Sequence, residues 1–168
     1  RAGRRPAPGV QEGHGIGGRR VNGNGRGWGG RVVVVAPGVM GLVFLSESGA
    51  VAVEVAMKMA TQYWLNQNIR GRMKFLAFKG GYHGDTIATM AVCDPDEGMH
   101  SLFAGLLPEH HILDLPRDEQ TSAVLGAFLE RHAGELAGII VEPLVQGAGG
   151  MLFPDGNVLR RLRTAADK

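Results

Sequence analysis

The sequence predicts an α/β protein of three layers (α/β/α) with a mostly parallel sheet, and two patterns support this. Some short segments are nearly apolar throughout, such as KFLAF (74–78) and GIIVEPL (138–144), which is typical of strands buried on both faces. Segments with the apolar spacing of helices separate these strands along the chain. Strands that alternate with helices indicate parallel pairing, because parallel neighbours need a crossover connection.

From Leu42 onward, the predicted strands and helices alternate in a definite order. The elements are a strand LVFL (42–45), a helix from Gly49 to about Asn66, the strand KFLAF, a short helix over 85–92, an amphipathic helix in SAVLGAFLERHAGEL (122–136), the strand GIIVEPL and a helix over 157–167. The pair His110-His111 is predicted to lie in a solvated turn. Because no strand follows the last helix, we expect the chain to represent only part of such a domain.

Residues 1–31 differ in composition from the rest of the chain. Seven arginines and one acid, Glu12, give this head a charge of +6, whereas eleven basic and fifteen acidic residues give 32–168 a charge of −4. Eleven of the 27 glycines lie in residues 1–30, with almost no periodic apolar pattern. Such a segment buries too little apolar surface to offset its loss of chain entropy. We therefore predict a disordered Arg/Gly-rich head at 1–31 and a folded domain at 32–168.

Three further interpretations of the head stay open. Two matches to G-x-G-x-x-G, beginning at Gly13 and Gly25, lack the preceding strand that a dinucleotide site needs. The stretch GNGRGWGG pairs arginine with an aromatic ring, as RNA-binding tails do. The abrupt change of composition near residues 32–43 also resembles coding sequence translated in a shifted frame, which makes the head a candidate for non-native sequence. The domain itself is mildly acidic, and no nucleic-acid partner is expected for it.

Length and composition narrow the class of protein. With 168 residues, 44% of them hydrophobic and 20% charged, the chain suits one globular domain. A single cysteine, Cys93, excludes an internal disulfide and fits a reducing cytoplasm, where we expect the protein to reside. No run of eighteen apolar residues is present, so no membrane partner is expected.

Three predicted loops follow strand ends, where ligands gather in open parallel sheets. In the first, SESG, Ser48 precedes a predicted helix and Gly49 lets a ligand approach the backbone. The amide groups and the dipole of a helix start attract anions, so this turn is a candidate anion site. An ordinary N-cap is the alternative interpretation.

The other two loops are FKGGYHGDT (78–86) and VEPLVQGAGGM (141–151). Tyr82 follows two glycines at the end of a strand, where its ring offers a surface for a flat ligand, with packing on the sheet edge as the alternative. Glu142 ends an apolar strand, and a carboxylate in that position needs a partner. A purely structural pairing is the alternative to a role at a site.

Two other kinds of site are disfavoured. Ser48 lacks the flanking glycines of a hydrolase nucleophile elbow. The histidines of the predicted domain show no zinc-ligand spacing, and Cys93 has no second thiol; these histidines are His83, His100, His110, His111 and His132. The sequence therefore predicts no metal site.

Four segments resemble the class III, fold-type I pyridoxal-phosphate-dependent aminotransferases: SESGAVAVEVAMKMATQYW, FKGGYHGDT, MAVCDPDEGMHSLF and GIIVEPLVQGAGGM. The GYHG turn and the EP-x-x-Q-G run are shared across that family. The GDT together with CDPDxxMHSL is more particular to the adenosylmethionine–8-amino-7-oxononanoate aminotransferases of biotin synthesis. The resemblance covers roughly Leu42 to Lys168 and implies part of a fold-type I large domain.

The resemblance implies that pyridoxal 5′-phosphate is the cofactor. The turn of Ser48, Gly49 and Ala50 would hold its phosphate, and Ala50 stands where the family usually has a serine hydroxyl. Tyr82 would cover the pyridine ring and border the amine substrate.

The resemblance also places three further side chains at the site. His83 would flank the cofactor, Asp85 would contact the substrate, and Glu142 matches the glutamate that lies near the cofactor at a strand end.

The resemblance places the Schiff-base lysine and the aspartate that binds the pyridinium nitrogen C-terminal to Lys168, so no catalytic residue is expected in this chain. The four lysines present match neither role; they are Lys58, Lys74, Lys79 and Lys168. The complete enzyme, a homodimer by the resemblance, would transfer the amino group of S-adenosylmethionine to 8-amino-7-oxononanoate, giving 7,8-diaminononanoate. The alternatives are another class III omega-aminotransferase, which MHSLF disfavours, and a non-catalytic remnant.

Overall fold

The computed structural model describes residues 19–20, 42–96 and 99–168, which fall into two compact units divided between Leu45 and Ser46. In the first unit, β1 (Arg19–Arg20) pairs antiparallel with β2 (Leu42–Val43). The strand predicted over 42–45 is thus present in its first half. The rest of the head lies outside the described residues, so its disorder and the boundary at residue 32 stay predictions.

The second unit alternates strands and helices. Its elements are α1 (Gly49–Asn66), β3 (Lys74–Phe78), α2 (Ile87–Met90), a 3₁₀ helix (Met99–Phe103), β4 (His111–Leu113), α3 (Glu119–His132), a second 3₁₀ helix (Ala133–Glu135), β5 (Leu136–Ile139) and α4 (Gly156–Ala166). Strand β3 lies between β4 and β5 and is parallel to both, with Leu76 paired to His111 and to Ile139. The predicted parallel sheet is confirmed.

Helices cover both faces of this sheet. Successive side chains of β3 point to opposite sides, so each face of the strand packs against a different set of helices. Leu76 and Phe78 pack with buried side chains of α3 and α4; these are Leu125, Phe128, Val158 and Leu162. Phe75 and Ala77 pack on the other face against α1 and α2, through residues that include Val53, Met57 and Ala88. The three-layer α/β/α prediction is therefore confirmed.

Capping residues determine where α1 and α3 begin. The Ser48 hydroxyl accepts a hydrogen bond from the amide of Val51 at 3.2 Å, and α1 begins at the next residue, as predicted. The Asp118 carboxylate accepts from the amide of Thr121 at 2.7 Å, forming a capping box. Helix α3 consequently begins at Glu119, three residues before its predicted start, and ends at His132.

Three further boundary predictions differ from the structure. The predicted turn at His110-His111 is wrong, because His111 begins β4, a strand of only three residues that is too short for its pattern to be recognised. Helix α2 is confined to Ile87–Met90 because Thr86 caps it, within the predicted span 85–92. Strand β5 covers Leu136–Ile139 rather than 138–144, so Glu142 lies three residues beyond the strand end.

Among the described residues, no helix has the length and apolar character needed to cross a membrane.

Candidate functional site

The candidate site lies at the carboxyl edge of the sheet, where the chain leaves β3 and β5 and where α1 begins. The first turn of α1 contributes the backbone of two small residues, Gly49 and Ala50. The Ser48 side chain and carbonyl accept hydrogen bonds from the amides of Val51 (3.2 Å) and Ala52 (3.0 Å). These two bonds leave the amides of Gly49 and Ala50 as the first-turn donors for an anion.

This helix start and the turn that follows β3 together line a cleft of about 470 Å³. Gly49, Ala50 and Val53 line one side of the cleft, and residues 82–86 line the other. The volume falls within the range of small-molecule pockets. The cleft thus brings together five of the seven predicted site residues, while Ser48 and Glu142 lie outside its lining.

The turn after β3 approaches α1 closely at Gly84. Its φ of +126° lies in a region that side chains disfavour, and a β-carbon there would come within 2.9 Å of the Ala50 α-carbon. A glycine at this position therefore sets the distance between the two walls of the cleft.

Asp85 joins the rings of Tyr82 and His100. Its carboxylate accepts a hydrogen bond from the Tyr82 hydroxyl at 2.8 Å, and its other oxygen lies 3.1 Å from His100 Nε2. The two rings are stacked, with centroids 6.1 Å apart and an interplanar angle of 18°. These hydrogen bonds, first from His100 and then from Tyr82, lower the pKa of Asp85, and the bond to Asp85 raises the pKa of Tyr82.

Glu142 connects the loops that follow β3 and β5. One carboxylate oxygen accepts a hydrogen bond from the amide of Tyr82 at 2.9 Å, and the other accepts from the amide of Gly147 at 3.0 Å. Hydrogen bonds to a carboxylate are among the stronger ones in proteins. The structure therefore gives the Glu142 carboxylate the partners that it requires, and both are backbone groups of the site loops.

His83 lines the cleft and is half-buried. Its amide donates to the sulfur of the buried Cys93 at 3.1 Å. Burial lowers the pKa of His83, and the nearby Glu142 carboxylate opposes this shift. The imidazole is therefore held mainly in its neutral form at neutral pH.

Two buried polar residues that were not predicted as site residues also support the site. Gln146 is 1% exposed, and its amide donates to the carbonyl of Lys79 at 2.7 Å while its oxygen accepts from Arg117 at 3.1 Å. Asp94 is 6% exposed and accepts from the amide of Gly80 at 2.6 Å. Gln146 stands beside Gly147 in a glycine-rich loop, a signal that also fits an ordinary loop, whereas Asp94 lies between Cys93 and Pro95 and has no such signal.

His100 is the third residue that the sequence did not single out. It lies in the MHSL run that carries part of the family resemblance, but that run does not indicate a contact with Asp85.

Comparison with known proteins bears on the identity of this site. The family model for class III aminotransferases matches residues 28–168. The chain belongs to the class III aminotransferases. The resemblance identified from the sequence is therefore confirmed.

Curated relatives of this class III aminotransferase chain include adenosylmethionine-8-amino-7-oxononanoate aminotransferases. The adenosylmethionine-8-amino-7-oxononanoate aminotransferase of Mycobacterium leprae is 43% identical over 135 residues, which cover 79% of this chain and 31% of the relative. The protein of that name from Saccharomyces cerevisiae is 37% identical over 126 residues, covering 64% of this chain and 26% of the relative. The chain thus spans about a third or less of these relatives.

Solved structures of class III aminotransferases match the fold. The adenosylmethionine-8-amino-7-oxononanoate aminotransferase of Methanocaldococcus jannaschii has a TM-score of 0.75 and 33% identity, over 81% of this chain and 31% of that one. A PLP-bound amine transaminase from an uncultivated Pseudomonas species has a TM-score of 0.63 and 36% identity, over 73% of this chain and 30% of that one. These relatives are fold-type I transaminases, as predicted.

Class III aminotransferases depend on pyridoxal phosphate, and the residues of the cleft suit that group. Backbone amides at a helix start suit the phosphate, and the ring of Tyr82 borders the same cleft. Among the described residues, no atom other than the chain neighbours and the backbone of α1 lies within 4 Å of the position that a β-carbon on Gly49 would take, so the space beside this residue is open.

Proposed function

We propose that this chain forms part of the large domain of an aminotransferase of biotin synthesis. The complete protein transfers the amino group of S-adenosylmethionine to 8-amino-7-oxononanoate and yields 7,8-diaminononanoate. The observation that carries this proposal is the Tyr82–Asp85–His100 network. It joins the GDT turn to the MHSL segment, the two motifs most particular to this branch of the family, and the names of the curated relatives support the same substrates.

Each wall of the cleft has a separate role in the proposal. The amides of Gly49 and Ala50 bind the cofactor phosphate, with Ser48 fixing the helix start. Tyr82 lies over the cofactor ring and borders the amine substrate, and its hydroxyl is held by Asp85. When bound, pyridoxal phosphate supplies the electron-accepting ring that lets an amino group pass between two substrates.

Glu142 and His83 have further roles at the same site. Glu142 holds the backbone of Tyr82 and of Gly147 in place, and His83 forms the inner wall as a neutral imidazole. No lysine is among the residues that line the cleft in the described part of the chain. We accordingly assign the covalent attachment of the cofactor to a part of the protein outside this chain. The same proposal includes three further points. Residues 32–168 form the domain, the complete protein is a homodimer, and it resides in the cytoplasm.

A second candidate is a class III aminotransferase that uses a simple amine as the donor. The 36% identity with the Pseudomonas amine transaminase favours it. The two candidates differ in the donor, and Asp85 is the residue of this chain that we assign to donor recognition.

The test uses the complete protein that carries this chain, loaded with pyridoxal phosphate and 8-amino-7-oxononanoate. Each donor is supplied separately, and 7,8-diaminononanoate is measured by chromatography. Product from S-adenosylmethionine and none from 1-phenylethylamine supports the proposal. Equal or better conversion with the simple amine favours the second candidate. A protein that binds no pyridoxal phosphate would contradict both and indicate a non-catalytic remnant.

A further inference from the structure

Three metal-ligating side chains converge at the amino edge of the sheet, opposite to the candidate cofactor cleft. His111 is the first residue of β4, His132 is the last of α3, and Glu135 directly precedes β5. One ligand atom from each lies within 4.8 Å of the other two. These three residues do not have the spacing of a metal-binding motif in the sequence. They come together only in the folded domain, so the sequence alone predicts no metal site here.

The geometry of this cluster is close to that of a metal site. His132 Nδ1 lies 2.6 Å from Glu135 Oε1, and His111 Nε2 lies 3.1 Å from the same oxygen. Ligand bonds to Zn²⁺ of about 2.0–2.2 Å in a tetrahedron place neighbouring donor atoms about 3.3 Å apart. The His132–Glu135 contact would therefore have to lengthen by about 0.7 Å to admit an ion, while the His111–Glu135 distance is already close to this value.

A buried aromatic ring holds both imidazoles. Phe128 is stacked with His132 at a centroid distance of 4.6 Å and meets His111 edge to face at 4.9 Å. Such packing fixes the ring planes before a ligand arrives, which lowers the entropy lost on binding.

Lys74 orients the carboxylate of the cluster. Its ammonium lies 3.1 Å from Glu135 Oε2, which leaves Oε1 for the imidazoles. Metal-bound carboxylates are commonly fixed by a hydrogen bond of this kind.

The cluster is also accessible. The side chains of His111, His132 and Glu135 are 21%, 37% and 32% exposed, so an ion reaches them without local unfolding. Three protein ligands with solvent access leave a fourth position for water.

We propose that His111 Nε2, His132 Nδ1 and Glu135 Oε1 form a binding site for a divalent transition-metal ion. Two imidazoles and a carboxylate are ligands that Zn²⁺ accepts readily. Because the site lies at the edge away from the cleft, the bound ion connects the start of β4, the end of α3 and the start of β5. Its role is to stabilise the domain rather than to take part in catalysis.

The test measures Zn²⁺ binding by the purified full chain in competition with a chromophoric chelator. One equivalent is expected to bind, and substituted Co²⁺ should give the visible spectrum of a tetrahedral site with nitrogen and oxygen ligands. His132→Gln should weaken binding by about tenfold or more, since even residues that only orient ligands have effects of 10- to 100-fold. His110→Gln is the matched control, because His110 neighbours the cluster without belonging to it, and it should bind as the unmodified chain does.

Two results would overturn the proposal: no tight equivalent in the unmodified chain, or equal affinity in the His132→Gln variant. Circular dichroism establishes whether that variant is folded. If the His132→Gln variant is unfolded, the Glu135→Gln variant tests the proposal instead. Glutamine keeps the shape of the glutamate side chain while removing the anionic ligand. Unchanged affinity and an unchanged Co²⁺ spectrum in a folded Glu135→Gln protein would exclude the site.

Discussion

A β-carbon placed on Gly84 would lie 2.5 Å from the β-carbon of Ala50, so the turn after β3 touches the first turn of α1 with no space between them. This contact joins the proposed phosphate-binding helix start to the segment that carries Tyr82 and Asp85. Displacing either wall would change the width of the cleft.

Gly84→Ala is therefore expected to destabilise the domain. The new methyl group would clash with Ala50, and the φ of +126° is unfavourable for alanine. Overpacking and backbone strain each cost about 1–3 kcal/mol, so the free energy of unfolding should fall by roughly 3 kcal/mol. Urea denaturation followed by circular dichroism measures this change.

Gly126→Ala is the matched control for that variant. Gly126 lies in α3, and a β-carbon there would meet no atom within 4 Å in the described part of the chain apart from the backbone of its own helix. Alanine is favoured over glycine inside a helix by about 1 kcal/mol, so this variant should be slightly more stable. If the Gly84→Ala variant were as stable as the unmodified chain, the backbone near Ala50 would have to shift at little cost to make room for the methyl group, which would contradict the prediction.

Ala50→Ser is expected to tighten binding of the cofactor phosphate. The hydroxyl would add a donor beside the amides of Gly49 and Ala50, and a hydrogen bond to a charged group contributes about 1.5–3 kcal/mol. The Kd for pyridoxal phosphate, measured by equilibrium dialysis, should fall by about tenfold or more. Pyridoxal without phosphate is the control ligand, and an equal gain for it would mean that the hydroxyl acts elsewhere.

Glu142→Gln is expected to loosen the two loops that meet at the cleft. Glutamine offers one acceptor where the carboxylate offers two, so the amide of either Tyr82 or Gly147 loses its partner. Leaving such a group unpaired costs about 1–3 kcal/mol, and the free energy of unfolding should fall by that amount. Glu130→Gln, on the exposed surface of α3, is the control and should change stability little. A Glu142→Gln protein as stable as this control would contradict the expected loss.

Much of the central fold was predictable because its signals are local. Ser48 caps α1 at the position where the sequence predicts the helix to start, and the apolar run 74–78 is β3. The central strand is buried on both faces, so its sequence carries the pattern of its environment. Strand β4 has three residues and begins with a polar one, and no window of that length distinguishes it from a turn.

The contacts within the candidate site were less predictable. Tyr82 and Asp85 are three residues apart and could be assigned to one turn, but His100 reaches Asp85 from a separate segment. The same holds for His111, His132 and Glu135, which come together only because β4 and β5 both start at the amino edge of the sheet. Side-chain contacts of this kind depend on strand register, which single-sequence patterns do not specify.

The lowered pKa of His83 leads to a prediction about how the free energy of unfolding changes as the pH falls. Burial lowers this pKa below the ordinary value of 6.5, so below that pH the unfolded chain takes up a proton at this residue more readily than the folded chain does. The free energy of unfolding must then fall as the pH is lowered from 6.5 towards the folded pKa. One such group contributes a slope of at most about 1.4 kcal/mol per pH unit.

His83→Gln should remove this contribution, so the loss of stability between about pH 7 and pH 5.5, measured by urea denaturation, should be smaller in the variant. His110 must be controlled for, because burial lowers its pKa as well. His110→Gln should remove its own part of the pH dependence, and the double variant should lose both. An unchanged pH dependence in His83→Gln would mean that His83 takes up its proton as easily in the folded protein as in the unfolded chain. The inner wall of the cleft would then be open to water.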